Sequence, residues 1–345
     1  MESSEFPSAA AQVEFMEGIQ GLLSGGGFTA TYKYALLHAL ADLAVQRPGP
    51  PMAAVPIPIR EIGERFVDLY WQQAREYLDS GRILRQNTGK RAAIFTYIHD
   101  VHKESLHRLQ QTGQWSQLVN QAAALVKRMP LFRLQRVGRS VNEFLYKNEE
   151  VDGNIVLLPG VAFCLARFHR LVTGLARSEW TNMVRRLNPD TLGDAVELGE
   201  FLFGRDRASL AGYGAALTEV CSLRCFYCGG AIVRGELHVD HFIPWSRYPT
   251  DFGHNFVLVD ATCNGQKSDY LAAEEHLARW LARNREIGSD LSECFEAHGL
   301  RHDLGATNAI ARWAYERAIT SRDSLWIKGR RTEPASSNLR ALMKN

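Results

Sequence analysis

Cys225-Phe226-Tyr227-Cys228, Val239-Asp240-His241, His254-Asn255 and Cys263-Asn264-Gly265-Gln266-Lys267 follow one another within 43 positions. The string supplies a thiol pair at metal-ligand spacing, an adjacent carboxylate and imidazole, two carboxamides and a lysine. A carboxylate is a hard oxygen ligand of the kind Mg²⁺ takes. A histidine, whose unperturbed pKa is ~6.5, offers a neutral imidazole that can accept a proton from water. Together these groups are the inventory for hydrolysing a phosphodiester with a divalent cation.

The surrounding residues suggest how the string folds. Alternation through Glu236–Pro244 predicts a strand that Pro244 closes. Neighbours in a regular strand point to opposite faces, so Asp240 and His241 share a site only where the strand twists or ends. Pro244-Trp245-Ser246-Arg247-Tyr248-Pro249 is the connecting loop, and Phe256-Val257-Leu258-Val259 the returning strand. Arg247 is a candidate phosphate contact, while Trp245 and Tyr248 read as pins for the loop. A helix starting at Thr262 or Cys263 places Asn264 and Lys267 at i and i+3 on one face. There Asn264 offers a carboxamide oxygen to a metal and Lys267 an ammonium to a phosphate.

In this order and spacing, the string resembles the HNH nuclease family. Its ββα-metal element carries Asp-His on one strand, Asn on the way back, and Asn or His on the closing helix. The resemblance implies that Asp240 and Asn264 hold a single Mg²⁺ or Mn²⁺ and that His241 is the general base. Asn255 would hold the loop and orient that base, with His254 accessory. Lys267 or Arg247 would stabilise developing charge, leaving 5′-phosphate and 3′-hydroxyl ends. Double-stranded DNA is the implied partner. Many zinc-bearing relatives carry two Cys-x-x-Cys pairs, the second followed by Asn. Here Cys225, Cys228 and Cys263 stand in that pattern, and Asp260 replaces the remaining cysteine. A structural Zn²⁺ is implied. Its fourth ligand is open between Asp260, Cys221 and water, and a site without zinc is open too.

Two other readings compete. Cys221, Cys225 and Cys228 also fit the Cys-x3-Cys-x-aromatic-Cys signature of radical S-adenosylmethionine enzymes, where three thiolates hold an iron–sulfur cluster. Only 117 residues follow Cys228, too few for that family's barrel, and no Gly-Gly-Glu stretch lies downstream. The non-enzymatic reading is a zinc-stabilised nucleic-acid-binding module without activity.

The rest of the chain sets the frame. Hydrophobic content of 46% and charged content of 23% are ordinary for globular proteins, and the net charge of +2 names no partner. Basic residues outnumber acidic ones eight to four over 101–150 and nine to four over 301–345, as a phosphate backbone would favour. No apolar run approaches the roughly 20 residues of a membrane span. The acidic start Met1–Glu5 lacks a signal-peptide layout, so a cytoplasmic protein is expected. Three of six cysteines fall within eight residues, which reads as a metal site rather than a disulfide framework. Cys164 and Cys294 read as core or partly buried residues.

The expected class is α+β: a flexible lead-in over 1–28, a mainly helical domain over 29–204, an HNH module over 205–271, and a helical basic extension over 272–345. Helix is expected from 29, with Leu36, Leu40 and Leu43 on one stripe, until Pro48-Gly49-Pro50-Pro51 stops it. A short strand near 55–59 and a helix over 60–78 then give an order compatible with a winged-helix start. Further helices are expected at 91–110, 114–128, 139–147, 161–187 and 192–203, with a strand at 154–158. Helix resumes after 270 and again over 307–319, before a partly ordered tail over 320–345. His99, His102 and His107 read as a packed or solvated helix face rather than a second metal site. The N-terminal region is the natural place for recognition, a protein partner or a homodimer contact.

Overall fold

The computed structural model describes residues 6–25, 27–89, 92–101, 106–110, 112–192, 198–204, 210–233 and 235–343. His102 and the His107 side chain lie outside them. The described residues are 57% helical with small two-stranded sheets, an α+β architecture. It divides into two compact units, Met1–Asp206 and Arg207–Asn345. Among the described residues no helix is long and apolar enough to cross a membrane.

The first unit runs α1 (Ala9–Gly25), α2 (Tyr32–Gln46), β1 (Val55–Pro58), α3 (Ile59–Trp71), α4 (Ala93–His99), α5 (Leu106–Leu109) and α6 (Gly113–Val126). It continues through β2 (Arg136–Val137), β3 (Ser140–Val141), β4 (Asn154–Leu157), α7 (Val161–Arg167), α8 (His169–Leu187), α9 (Pro189–Leu192) and α10 (Leu198–Phe203). Helix α2 is buried on every side from Tyr34 to Val45, the mark of a central helix, and packs against α3, α7 and α8. Helices α3 and α6 approach closely because Gly63 has no side chain; a Cβ there would lie 2.6 Å from the Ala123 backbone nitrogen. Inside this core Asp42 accepts hydrogen bonds from Arg65 at 2.6 Å and His169 at 2.8 Å, with His38 at 3.3 Å.

Several expectations are corrected here. The lead-in over 1–28 is not flexible throughout: α1 buries Phe15, Ile19 and Leu22 at helical spacing, a stripe overshadowed in the sequence by the glycines after it. Strand β1 pairs antiparallel with β4, about a hundred residues on. The 139–147 stretch is no helix. Gly138, at φ +60°, turns β2 into β3 as a two-residue hairpin. The helix expected over 161–187 is two helices divided at Phe168. That over 192–203 is described only as α10, residues 193–197 lying outside the described set.

The second unit runs α11 (Ala211–Val220), β5 (His238–His241), β6 (Phe256–Val259), α12 (Ala261–Lys267), α13 (Glu274–Glu286), α14 (Gly288–Ala297), α15 (Leu304–Ser321), β7 (Ser324–Lys328), β8 (Arg331–Pro334) and α16 (Leu339–Leu342). Its core is aromatic. Trp280 stacks on Phe242 at 4.8 Å, and Trp326 meets Tyr227 edge-on at 5.2 Å. The tail expected to be partly ordered is instead the β7–β8 hairpin. Trp326 exchanges backbone hydrogen bonds with Leu271 and Ala273, closing the hairpin onto the segment after α12.

Candidate active site and metal centre

Strands β5 and β6 pair antiparallel, with Asp240 opposite Val257 and His241 opposite Phe256. All four β6 residues are buried, so this strand is covered on both faces. Asp260 ends the return and caps α12, its Oδ1 accepting from the Cys263 N–H at 2.7 Å. The result is a ββα element.

Strand β5 ends at His241, and Asp240, His241 and Asn264 all line one cleft of about 430 Å³, with Asp251 and Ser268 on its walls. Ser268, which ends α12, sits at φ +48° and ψ −124°, a conformation costly for a residue with a side chain. Asp240 is buried, and its Oδ2 accepts from the Tyr227 hydroxyl at 2.7 Å and lies 3.0 Å from Lys267 Nζ. Both contacts fall on Oδ2, which leaves Oδ1 for a cation. His241 Nε2 lies 2.7 Å from Asp251 Oδ1, and the ring packs edge-on against Phe256 at 4.7 Å and Trp245 at 5.5 Å. Asn255 accepts from Ile243 N at 2.8 Å through its carboxamide oxygen and donates to Ile243 O at 3.0 Å. It thereby ties the two ends of the 242–255 loop together.

Two assignments change. Lys267 does not extend its ammonium toward a phosphate: the side chain is fully buried, held by Asp240 and the His241 carbonyl at 3.0 Å. Helical spacing with Asn264 said nothing about which side of α12 meets the core. Arg247 pairs with Asp323 at 2.6 Å and is absent from the cleft walls, so it fastens the loop to the segment before β7. Tyr248 is buried against Trp313, and His254 is buried between Gly288 and Ser292. Two residues not singled out beforehand, Asp251 and Tyr227, touch His241 and Asp240 respectively. Asp251 lies in a loop with no motif around it. Tyr227 lies between two cysteines that draw attention to themselves, and only its hydroxyl's reach to Asp240 reveals it.

On the other side of Tyr227, the ligand atoms of Cys225, Cys228, Asp260 and Cys263 all lie within 4.8 Å of one another. Gly229, at φ +73°, lets the chain turn so that Gly230 N donates to Cys228 Sγ at 3.4 Å. Burial, and then the Asp260 carboxylate, pushes the Cys225 and Cys263 thiols up. Burial would also raise Asp260, but hydrogen bonds from Cys225 and Cys263 outweigh it and hold this carboxyl below its usual range. A divalent cation among these four groups reverses the penalty on the thiolates. Zinc–sulfur bonds of about 2.3 Å put tetrahedral ligand atoms about 3.8 Å apart, so the donor set fits Zn²⁺ in number, type and spacing. Cys221 stands outside this group, at the C-terminal end of α11. Cys225 and Cys228, which a radical S-adenosylmethionine cluster would share with Cys221, group instead with Asp260 and Cys263.

Residues 13–202, more than half of the chain, match a family described as a domain of unknown function (DUF8808). Residues 225–273 match the HNH endonuclease family, beginning at Cys225 and so excluding Cys221. No curated protein and no solved structure matches the chain.

Proposed function

We propose that this chain, which belongs to the DUF8808 family and carries an HNH endonuclease module, is a divalent-metal-dependent endonuclease that hydrolyses phosphodiester bonds in DNA. The observation that carries the reading is the convergence of Asp240, His241 and Asn264 on one cleft, with His241 held by Asp251 at 2.7 Å. With Nε2–H donated to Asp251, Nδ1 is the basic nitrogen of His241 and takes the proton from water. Asp251 fixes that tautomer and stabilises the imidazolium that forms. Asp240, through Oδ1, and the Asn264 carboxamide oxygen would hold Mg²⁺ or Mn²⁺. When bound there, the ion neutralises phosphate charge and stabilises the leaving 3′ oxygen. Lys267 and Tyr227 orient Asp240 from behind, and Asn255 keeps the loop that carries Asp251 in register.

A structural Zn²⁺ on Cys225, Cys228, Asp260 and Cys263 would stabilise an element too small to hold its own core. Because Tyr227 lies between the first two ligands and bonds Asp240, that centre also supports the catalytic carboxylate. The substrate reading is double-stranded DNA, and the role restriction or anti-phage defence in the cytoplasm. The Met1–Asp206 unit is the place for target recognition or for docking a partner or second copy.

The test is incubation of supercoiled plasmid with purified protein and Mg²⁺ or Mn²⁺. Nicked or linear product that disappears with EDTA, and that carries 5′-phosphate ends, is expected. DNA retained but uncut with every metal would favour the zinc-stabilised binding module instead.

A further inference from the structure

We propose that Glu219, Cys294 and His298 form a second metal site, for Zn²⁺ or a similar borderline transition ion, on the seam between α11 and α14. Their ligand atoms all lie within 4.8 Å of one another. Cys294 and His298 are four residues apart at the end of α14 and share one helical face, and Glu219 comes from the last turn of α11. His298 Nε2 is 2.9 Å from Glu219 Oε1, and Cys294 Sγ is 3.7 Å from Glu219 Oε2. The sulfur and imidazole exclude Mg²⁺ and Ca²⁺, which take oxygen; one thiolate, one imidazole and one carboxylate suit Zn²⁺, Co²⁺ or Ni²⁺.

An ion there would compete with the His298–Glu219 pair and with the hydrogen bond from Cys294 Sγ to the Ala216 carbonyl at 3.4 Å. The His298–Glu219 pair is 37% and 57% exposed, a setting in which an ion pair contributes little. The helices it would clamp are not peripheral to the nuclease element. On α11, Tyr213 packs against Phe256 of β6 at 4.4 Å and against Phe295 of α14 at 5.9 Å. Phe295 in turn packs against His254, beside Asn255, at 5.4 Å. The ion would therefore brace the two helices that support β6 and the start of the return strand, without touching the cleft.

The experiment is the zinc content per chain of the full-length protein and of C294A/H298A, after equilibration with excess Zn²⁺ and gel filtration. The wild type is expected to retain one more ion than the variant, whatever the Cys225–Cys228–Asp260–Cys263 group holds. Equal contents would overturn the proposal. Glu219→Gln, at an exposed position, is the second variant and leaves the sulfur and imidazole in place. It is expected to weaken retention roughly tenfold or more in Kd, and unchanged retention counts equally against the site. Zinc content is read without any cleavage, so failure here and failure of the nuclease reading are separate results.

Discussion

Asp240 has one carboxylate oxygen occupied by protein groups and one left over, and that division sets what each neighbour does. Lys267 is the buried counter-cation: Lys267→Ala leaves Asp240 charged and unpaired in the interior, with an expected loss of about 3–5 kcal/mol of stability. The denaturation midpoint reads it, and an unshifted midpoint would show that Asp240 does not need the pair. Tyr227→Phe removes only a hydroxyl, so the expected loss is smaller, about 1–3 kcal/mol. Asp251 acts through His241 and is a positioning residue. Asp251→Asn is expected to lower kcat on the order of 10²-fold or more while KM stays put. A rise in KM at constant kcat would instead make Asp251 a substrate contact.

At the scale of elements, the ββα unit was legible because its signals are local: alternation, a closing proline, and a helix that begins after Asp260. The fourth ligand was not legible. Asp260, Cys221, water and no zinc at all were open in the sequence, and only the fold shows that Asp260 reaches Cys228 at 3.3 Å while still capping α12. Lys267 was misread because helix periodicity says which residues share a face, not which face is buried. Strand β1 itself was legible near 55–59, but its pairing was not: its partner β4 is far away in sequence, and loop closure over that distance leaves no local trace. The metal group yields an element-scale prediction. Cys225→Ser and Cys263→Ser should each retain less zinc than wild type and lower the melting temperature of the Arg207–Asn345 unit. Wild-type zinc content in both would remove the cluster from the account.

At the scale of the whole chain, each unit buries a histidine that folding keeps neutral. His38 lies inside the first unit and His254 inside the second; burial depresses both to about 4, with Asp42 partly opposing this at His38 and the Gly288 carbonyl at His254. Unfolded, each titrates near ~6.5. Between those values the unfolded chain binds the protons that the folded chain refuses, so stability is full above pH ~6.5 and falls as pH drops towards 4. The loss approaches about 3 kcal/mol per histidine. Melting temperatures across this window check it: a flat profile would mean that the histidines are not buried neutral, and His38→Gln and His254→Gln should flatten the unit each belongs to. The measurement that bears most directly on the central claim is the plasmid cleavage rate of the intact chain beside His241→Ala, at equal Mg²⁺. The account predicts a fall of about 10²–10⁴-fold in the variant. Cleavage at the wild-type rate would contradict it, because the proton would then be taken by another group and the cleft around Asp240 and His241 would not be the active site.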